Sequence, residues 1–337
     1  MQITIPLVST DRAGAENGAA MTSPELLTVI NSFGLLFAVL NSFTLGLRLQ
    51  IGHLLQHFFQ NWQLAARVLL INFVILPALI IGFAAIAPID ADIKIGYCIV
   101  ALAAGAPFAP ALTRLAKGDL AMSTSLFVVM VVVSVIVVPL VLPFAVSALV
   151  PGVPDVGIWD IAWPLLAFVI APLLLGCLMR LRYDELVSTW VRPVVIISLA
   201  CLLLYVNLFI YAFTSLFVSV WWGAYLAAIA VPILGIAFGS VLSTRNAATR
   251  HASVITTAQR SITGAIIVTV FNYTQPLANV SVTVINTIGI IMLLILAIEW
   301  GRAQSPKRSV AGTGAASPHD GGPSREGAGH SPEVQGA

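Results

Sequence analysis

The apolar positions of this chain neither alternate as in a half-buried strand nor trace one face of an amphipathic helix. They come in long unbroken runs separated by short polar stretches. A helix needs about 20 mostly apolar residues to cross roughly 30 Å of hydrocarbon. Nine segments meet that requirement: 24–47, 62–88, 92–115, 120–149, 158–180, 187–213, 218–243, 247–272 and 276–300. The pattern therefore predicts an all-α integral membrane protein with nine transmembrane helices. The third and eighth segments are the least hydrophobic of the set. From Gln304 onward the chain turns to Gly, Ser, Pro and charge, too little apolar surface to offset chain entropy, so 302–337 reads as a disordered tail. Residues 1–23 form a polar segment that contains Asp11 and Glu16. It lacks the basic start and apolar core of a signal peptide.

Composition agrees with the pattern. Hydrophobic residues make up 59% of the 337 positions and charged residues 9%, against about 25% charged in soluble domains. Charge placement sets the orientation, because cytoplasmic loops collect Lys and Arg. With the N-terminus outside, the inner loops and span ends hold Arg48, Arg67, Arg114, Lys117, Arg180, Arg182, Arg192, Arg245 and Arg250. The tail adds Arg302, Lys307, Arg308 and Arg325. Only Arg12 and Lys94 fall outside, and the tail is then cytoplasmic. Cys98, Cys177 and Cys201 sit far apart in apolar runs, which marks them as small buried residues rather than a metal or disulfide set.

Two segments carry the candidate chemistry. Segment three contains Gly105-Ala-Pro107-Phe-Ala-Pro110. Each proline removes a backbone donor and clashes with the preceding turn, which frees the carbonyls near Ala103 and Ala106. In a bilayer such groups must find partners in protein or water, so this break faces inward. Segment eight begins too polar to face lipid and breaks near Thr257, just before Gln259, Arg260 and Ser261. An arginine near the bilayer centre costs at least ~2.5 kcal/mol on insertion scales, so Arg260 must face protein or a wet cavity. Every carboxylate falls in a loop, a tail or a span end, none near the middle of the bilayer. Its five donors are left with carbonyls, water or a bound anion, and the residues alone leave open whether it binds an anion or braces the other break.

Asn72, Ser123, Asn207, Asn286 and Thr287 add polar groups inside spans, where interhelical hydrogen bonding is their ordinary work. His251, beside the second break near the cytoplasmic end, suits an interfacial role better than a proton relay. Segments two and seven share a Pro-then-Gly pattern (Val74–Phe83 and Ile229–Gly239), and each precedes an interrupted segment. Paired interruptions of this kind point to a transporter built on inverted repeats, with its site at the breaks. No nucleotide, metalloprotease or nucleophile-elbow motif occurs, which excludes the common enzyme classes.

At these residues the chain resembles the bile acid:sodium symporter family. Ala104–Pro107 through Leu115-Ala-Lys117-Gly118-Asp119 and on to Ser123, Asn72-Phe73 with Pro77, Pro172 with Gly176, Gln259 with Ser261, and Asn286 with Gly289 carry the likeness over roughly residues 26–300. The resemblance implies a panel domain (24–47 and 158–213) and a core domain (62–149 and 218–301) in which the two broken helices cross. It also implies organic-anion transport coupled to sodium. The family's first sodium site falls on Ala109, Pro110, Ser123, Phe127 and Ile255, where only Ser123 keeps an oxygen ligand of the expected kind. At the second, Gln259 remains, Asn72 is a shorter substitute, the family's glutamate is missing, and Arg260 stands where the family has an asparagine.

The expected function is secondary transport of a small organic anion across a bacterial inner membrane, with sodium the coupling ion that the resemblance implies. Arg260, Gln259, Ser261, Thr113 and Asn286 are the expected substrate ligands, and Asn72, Ser123 and Gln259 the expected ion ligands. Pro107, Pro110 and Thr257 mark the helix breaks. The lipid bilayer and the anion are the partners anticipated, with no nucleic acid and no obligate protein partner. A non-transporting membrane sensor of the same fold is the alternative.

Overall fold

A computed structural model of the protein describes residues 24–49, 61–219, 222–241 and 246–304. Twelve helical elements are described, with no strand among these residues. They are α1 (Pro24–Arg48), α2 (Trp62–Ile86), α3 (Ala91–Leu102), α4 (Ala109–Leu115), α5 (Leu120–Leu149), α6 (Ile158–Arg182), α7 (Asp184–Ala212), α8 (Thr214–Ser219), α9 (Trp222–Val241), α10 (Ala247–Ala258), α11 (Ile262–Phe271) and α12 (Pro276–Ala303). Among the described residues, eight helical stretches are long and apolar enough to cross a membrane, counting α10 and α11 as one. The predicted span 92–115 is the exception, because its prolines divide it into α3 and α4, each too short to cross alone. The polar segment 1–23, Arg12, Arg245 and the tail beyond Gln304 lie outside the described residues.

Exposure follows the bilayer reading. Leu174, Leu175, Leu178 and Leu181 on α6 are 54–75% exposed, an apolar face that only lipid or another apolar surface would cover. Trp62, Trp159, Trp163 and Trp222 are exposed near helix ends, where amphipathic rings suit the headgroup region. The interrupted stretch 247–271 behaves oppositely. Its most apolar 18-residue window has the lowest mean hydropathy of the eight, 1.4, and 83% of that window is buried, against 28% for the window in α1. Polarity is tolerated there because other helices surround it.

Packing is built on small residues. α1 lies against α6 and α7, and at its crossing with α6 a Cβ on Gly46 would strike the Leu173 carbonyl, while one on Gly176 would strike the Phe43 carbonyl. Glycine at both positions lets the two backbones touch, the usual device for helix association in lipid. α9 packs on α10, α12 on α3 and α9, and α3 on α2 and α5. Cys98, Cys177 and Cys201 are free and buried, as expected.

Two long helices contain a π turn, Ile71–Ile75 in α2 and Leu166–Ile170 in α6. Each is followed within two residues by a proline, Pro77 or Pro172. The proline ring cannot donate to the carbonyl four residues earlier, and the wider turn absorbs the mismatch. In α2 this turn contains Asn72, which is fully buried.

Candidate functional site

The first break runs from Ala103 to Phe108. Ala103 closes α3 by donating to the Ile99 carbonyl at 2.9 Å. Gly105 then turns the chain at φ +80°, and a Cβ there would approach the Val131 nitrogen of α5 to 2.8 Å. Left-handed backbone and a close wall both require glycine. Pro107 lies in the break. Pro110 does not: it occupies the first turn of α4, where a missing N–H costs nothing.

The second break is shorter. α10 ends at Ala258, Gln259 and Ser261 are extended, and Ser261 caps α11 by accepting from the Gly264 N–H at 3.3 Å. Thr257, expected to mark the interruption, is instead inside α10, in its last turn. Nothing in a threonine ends a helix, whereas Ser261 offers a capping hydroxyl two residues beyond Gln259.

The two breaks are joined directly. The Ser261 N–H donates to the Ala103 carbonyl at 2.9 Å, one of the two acceptors that the prolines were expected to free. The other, Ala106, accepts locally from the Ala109 N–H at 3.2 Å. Arg260 extends the junction. Its Nη2 donates to the Ala101 carbonyl and its Nη1 to Asn72 Oδ1, both at 2.9 Å. Asn72 is held in turn by its Nδ2, which donates to the Val68 carbonyl at 2.9 Å, so its oxygen is aimed at the guanidinium. Arg260 is 5% exposed and its Nε has no partner. Beside it, both polar atoms of the buried Gln259 side chain and the Thr257 hydroxyl also lack partners. An uncompensated buried polar atom costs about 1–3 kcal/mol, and so many at one break are unusual in a folded interior.

Other candidate residues fall into separate groups. The Thr113 hydroxyl donates to Ser123 Oγ at 3.0 Å, which lies 3.2 Å from Thr256 Oγ1, which donates to the Ala252 carbonyl at 2.6 Å. This buried chain of hydroxyls ties α4, α5 and α10 together. Asn286 donates to the Val282 carbonyl of its own helix at 2.9 Å. Its recorded bond is thus within α12 and not to the breaks. His251 lies 3.0 Å from the Ala116 carbonyl by Nδ1 and stacks on Trp300 at 4.1 Å between ring centroids, so it links the start of α10 to the end of α4 and to α12.

Two cavities border the first break. A narrow one of about 30 Å³, room for roughly two waters, is lined by Asn41, Ser42, Gly105, Ser261 and Thr263 among others. A second, of about 620 Å³, is lined by α1, α4, α5 and Val195 of α7. The two share Asn41, Leu45, Pro107 and Phe127 as walls. Asn41 of α1 also donates to Thr263 of α11 at 3.2 Å, and so joins α1 to the helix that follows the second break. Sequence reasoning missed Asn41, which is one of two amides in its span, with Asn31, and nothing in the sequence distinguishes it.

Comparison with known proteins agrees with this architecture. Over 175 residues the chain is 24% identical to a Bacillus subtilis (strain 168) protein named "Uncharacterized sodium-dependent transporter YocS". That match covers 52% of this chain and 53% of the relative, so the chain aligns with about half of the relative's length. Residues 35–220, which include the first break but not Arg260, match the Sodium Bile acid symporter family. On that match, which spans more than half of its length, the chain belongs to the Sodium Bile acid symporter family, a family of membrane transporters rather than enzymes.

Proposed function

We propose that this protein carries a small organic anion across a bacterial inner membrane by alternating access, with Arg260 serving as a built-in cation where relatives would use sodium. The observation that carries the reading is the seat of the guanidinium. It is bound at 2.9 Å to Asn72 Oδ1 and to the Ala101 carbonyl, oxygens of the kind a hard cation would claim. Sodium fits poorly beside it. Two positive charges ~4 Å apart at an effective dielectric near 20 repel by about 4 kcal/mol. Ser123, the remaining ligand of the family's first site, is engaged in the hydroxyl chain with Thr113 and Thr256.

The same charge favours an anionic solute, and the unpartnered Gln259 amide and Arg260 Nε provide directional contacts near it. The panel is α1, α6 and α7. The core is the remaining helices, with the segment 91–115 as a ninth crossing and the two breaks as the related centres of an inverted repeat. The wide cavity lies at the ends of α1 and α4 that carry Arg48 and Arg114, which the positive-inside rule assigns to the cytoplasm. The conformation described is then inward-open, with the tight crossing as its closed side.

The test is uptake of labelled cholate and terephthalate into proteoliposomes, with sodium replaced by choline. Uptake of at least one should persist without sodium, and Arg260→Ala should abolish it. Strict sodium dependence together with a tolerant Arg260→Ala would overturn the proposal.

A further inference from the structure

The wide cavity has a charge pattern that the transporter reading does not use. Two arginines are among its lining residues, Arg48 from the last turn of α1 and Arg114 from the last turn of α4. No carboxylate is among its described walls. Both arginines are exposed, and among the described residues neither guanidinium has a hydrogen-bond or ion-pair partner. Two like charges facing one space repel each other, and positive-inside placement alone asks only that they be near the membrane surface, not that they share a cavity. Neutral hydrogen-bonding groups stand with them, Asn41, Thr44 and Thr124, and Phe127 closes the wall toward the crossing.

We infer that this cavity is a binding site for an organic dianion, whose two acidic groups are met by Arg48 and Arg114 and whose apolar body lies toward Phe127. Each guanidinium offers a planar fork of donors matched to a carboxylate. The apolar share of the wall favours a carbon skeleton over inorganic phosphate. The two arginines come from different helix groups, α1 with α6 and α7, and α4 with α5 and α10. A ligand gripped by both would bridge those groups, and so favour this conformation over one in which they separate. The inference rests on the transporter reading for its biological meaning, but it is a statement about binding and is tested as one.

The experiment is titration calorimetry on the purified full-length protein in detergent, using terephthalate (dianion), benzoate (monoanion) and benzamide (neutral) as matched probes. A second charge-assisted contact should make terephthalate bind about tenfold tighter than benzoate, with benzamide weakest. Arg48→Gln and Arg114→Gln should each bring terephthalate down to the benzoate level. Independent of any variant, terephthalate should protect both arginines of the wild-type protein from phenylglyoxal, read by peptide mass spectrometry. Equal affinity for the two acids, or modification of both arginines undiminished by terephthalate, would overturn the inference. So would protection by phosphatidylglycerol nanodiscs that terephthalate fails to reproduce, because the arginines would then hold lipid headgroups. Dianion selectivity without flux in proteoliposomes counts against transport alone, and flux without dianion selectivity counts against this site alone.

Discussion

Arg260 and Asn72 offer a test of whether the crossing is held by a compensated buried charge. The pair is 188 positions apart in sequence, joined at 2.9 Å, with exposures of 5% and 0%. Arg260→Met removes the charge but orphans two acceptors, Asn72 Oδ1 and the Ala101 carbonyl. At about 1–3 kcal/mol for each buried group left unpaired, the cost is ~2–6 kcal/mol, reduced by the desolvation no longer borne. Asn72→Leu leaves a buried cation with one fewer acceptor, and breaking such a contact costs about 3–5 kcal/mol. The double variant removes both polar partners and leaves one orphaned carbonyl. The two costs should therefore not add, and the coupling should be at least ~1.5 kcal/mol in favour of the double variant. Equilibrium unfolding of the four proteins in mixed micelles measures this directly. Strict additivity would refute the pairing. Uptake separates structure from function: a double variant that regains stability should still fail to transport, because the fixed cation is gone.

Further expectations follow from single positions. Gly105→Ala forces a side chain into φ +80° and against the Val131 nitrogen, and should destabilise by about 1–3 kcal/mol, visible as a lowered thermal midpoint. Gly176→Leu should separate α1 from α6, since its Cβ would fall on the Phe43 carbonyl. The expected readout is loss of monodisperse protein on size exclusion, whereas a fully folded variant would contradict the close approach. Gln259→Leu should raise stability by at least about 1 kcal/mol, because it removes two buried polar atoms that have no partner. Uptake should nonetheless fall, and unchanged uptake would remove Gln259 from the solute path.

The helices and their interruptions were legible because a bilayer imposes length and polarity so strictly. Pro107 lies in the first break while Pro110 begins the next helix, and the carbonyl expected to be freed near Ala103 is the one that accepts from Ser261. Arg260 was legible as a residue that must face inward, but its partner was not. Asn72 reaches it through a π turn, whose position depends on how Pro77 distorts the backbone, and on contact between distant segments. The neighbourhood of Thr113 in sequence suggests a substrate ligand, yet its hydroxyl donates to Ser123 across a short turn. Thr257 misplaced the second interruption by two residues, since a helix end depends on which later residue can cap. Arg48 and Arg114 were read only for topology, because nothing in a linear count reveals that two loop-proximal cations open onto one space.

The arginine buried at the crossing also has a consequence for biogenesis. The most apolar window of residues 247–271 is the least hydrophobic of the eight such windows, at 1.4, and the stretch contains a cation near its middle. Such a segment has the weakest claim of any to partition from the translocon into lipid unaided. Its acceptors, Ala101 and Asn72, belong to segments synthesised well before it. Insertion of the late segment should therefore depend on those earlier ones, and truncating or delaying them should strand it outside the membrane even though its own sequence is intact.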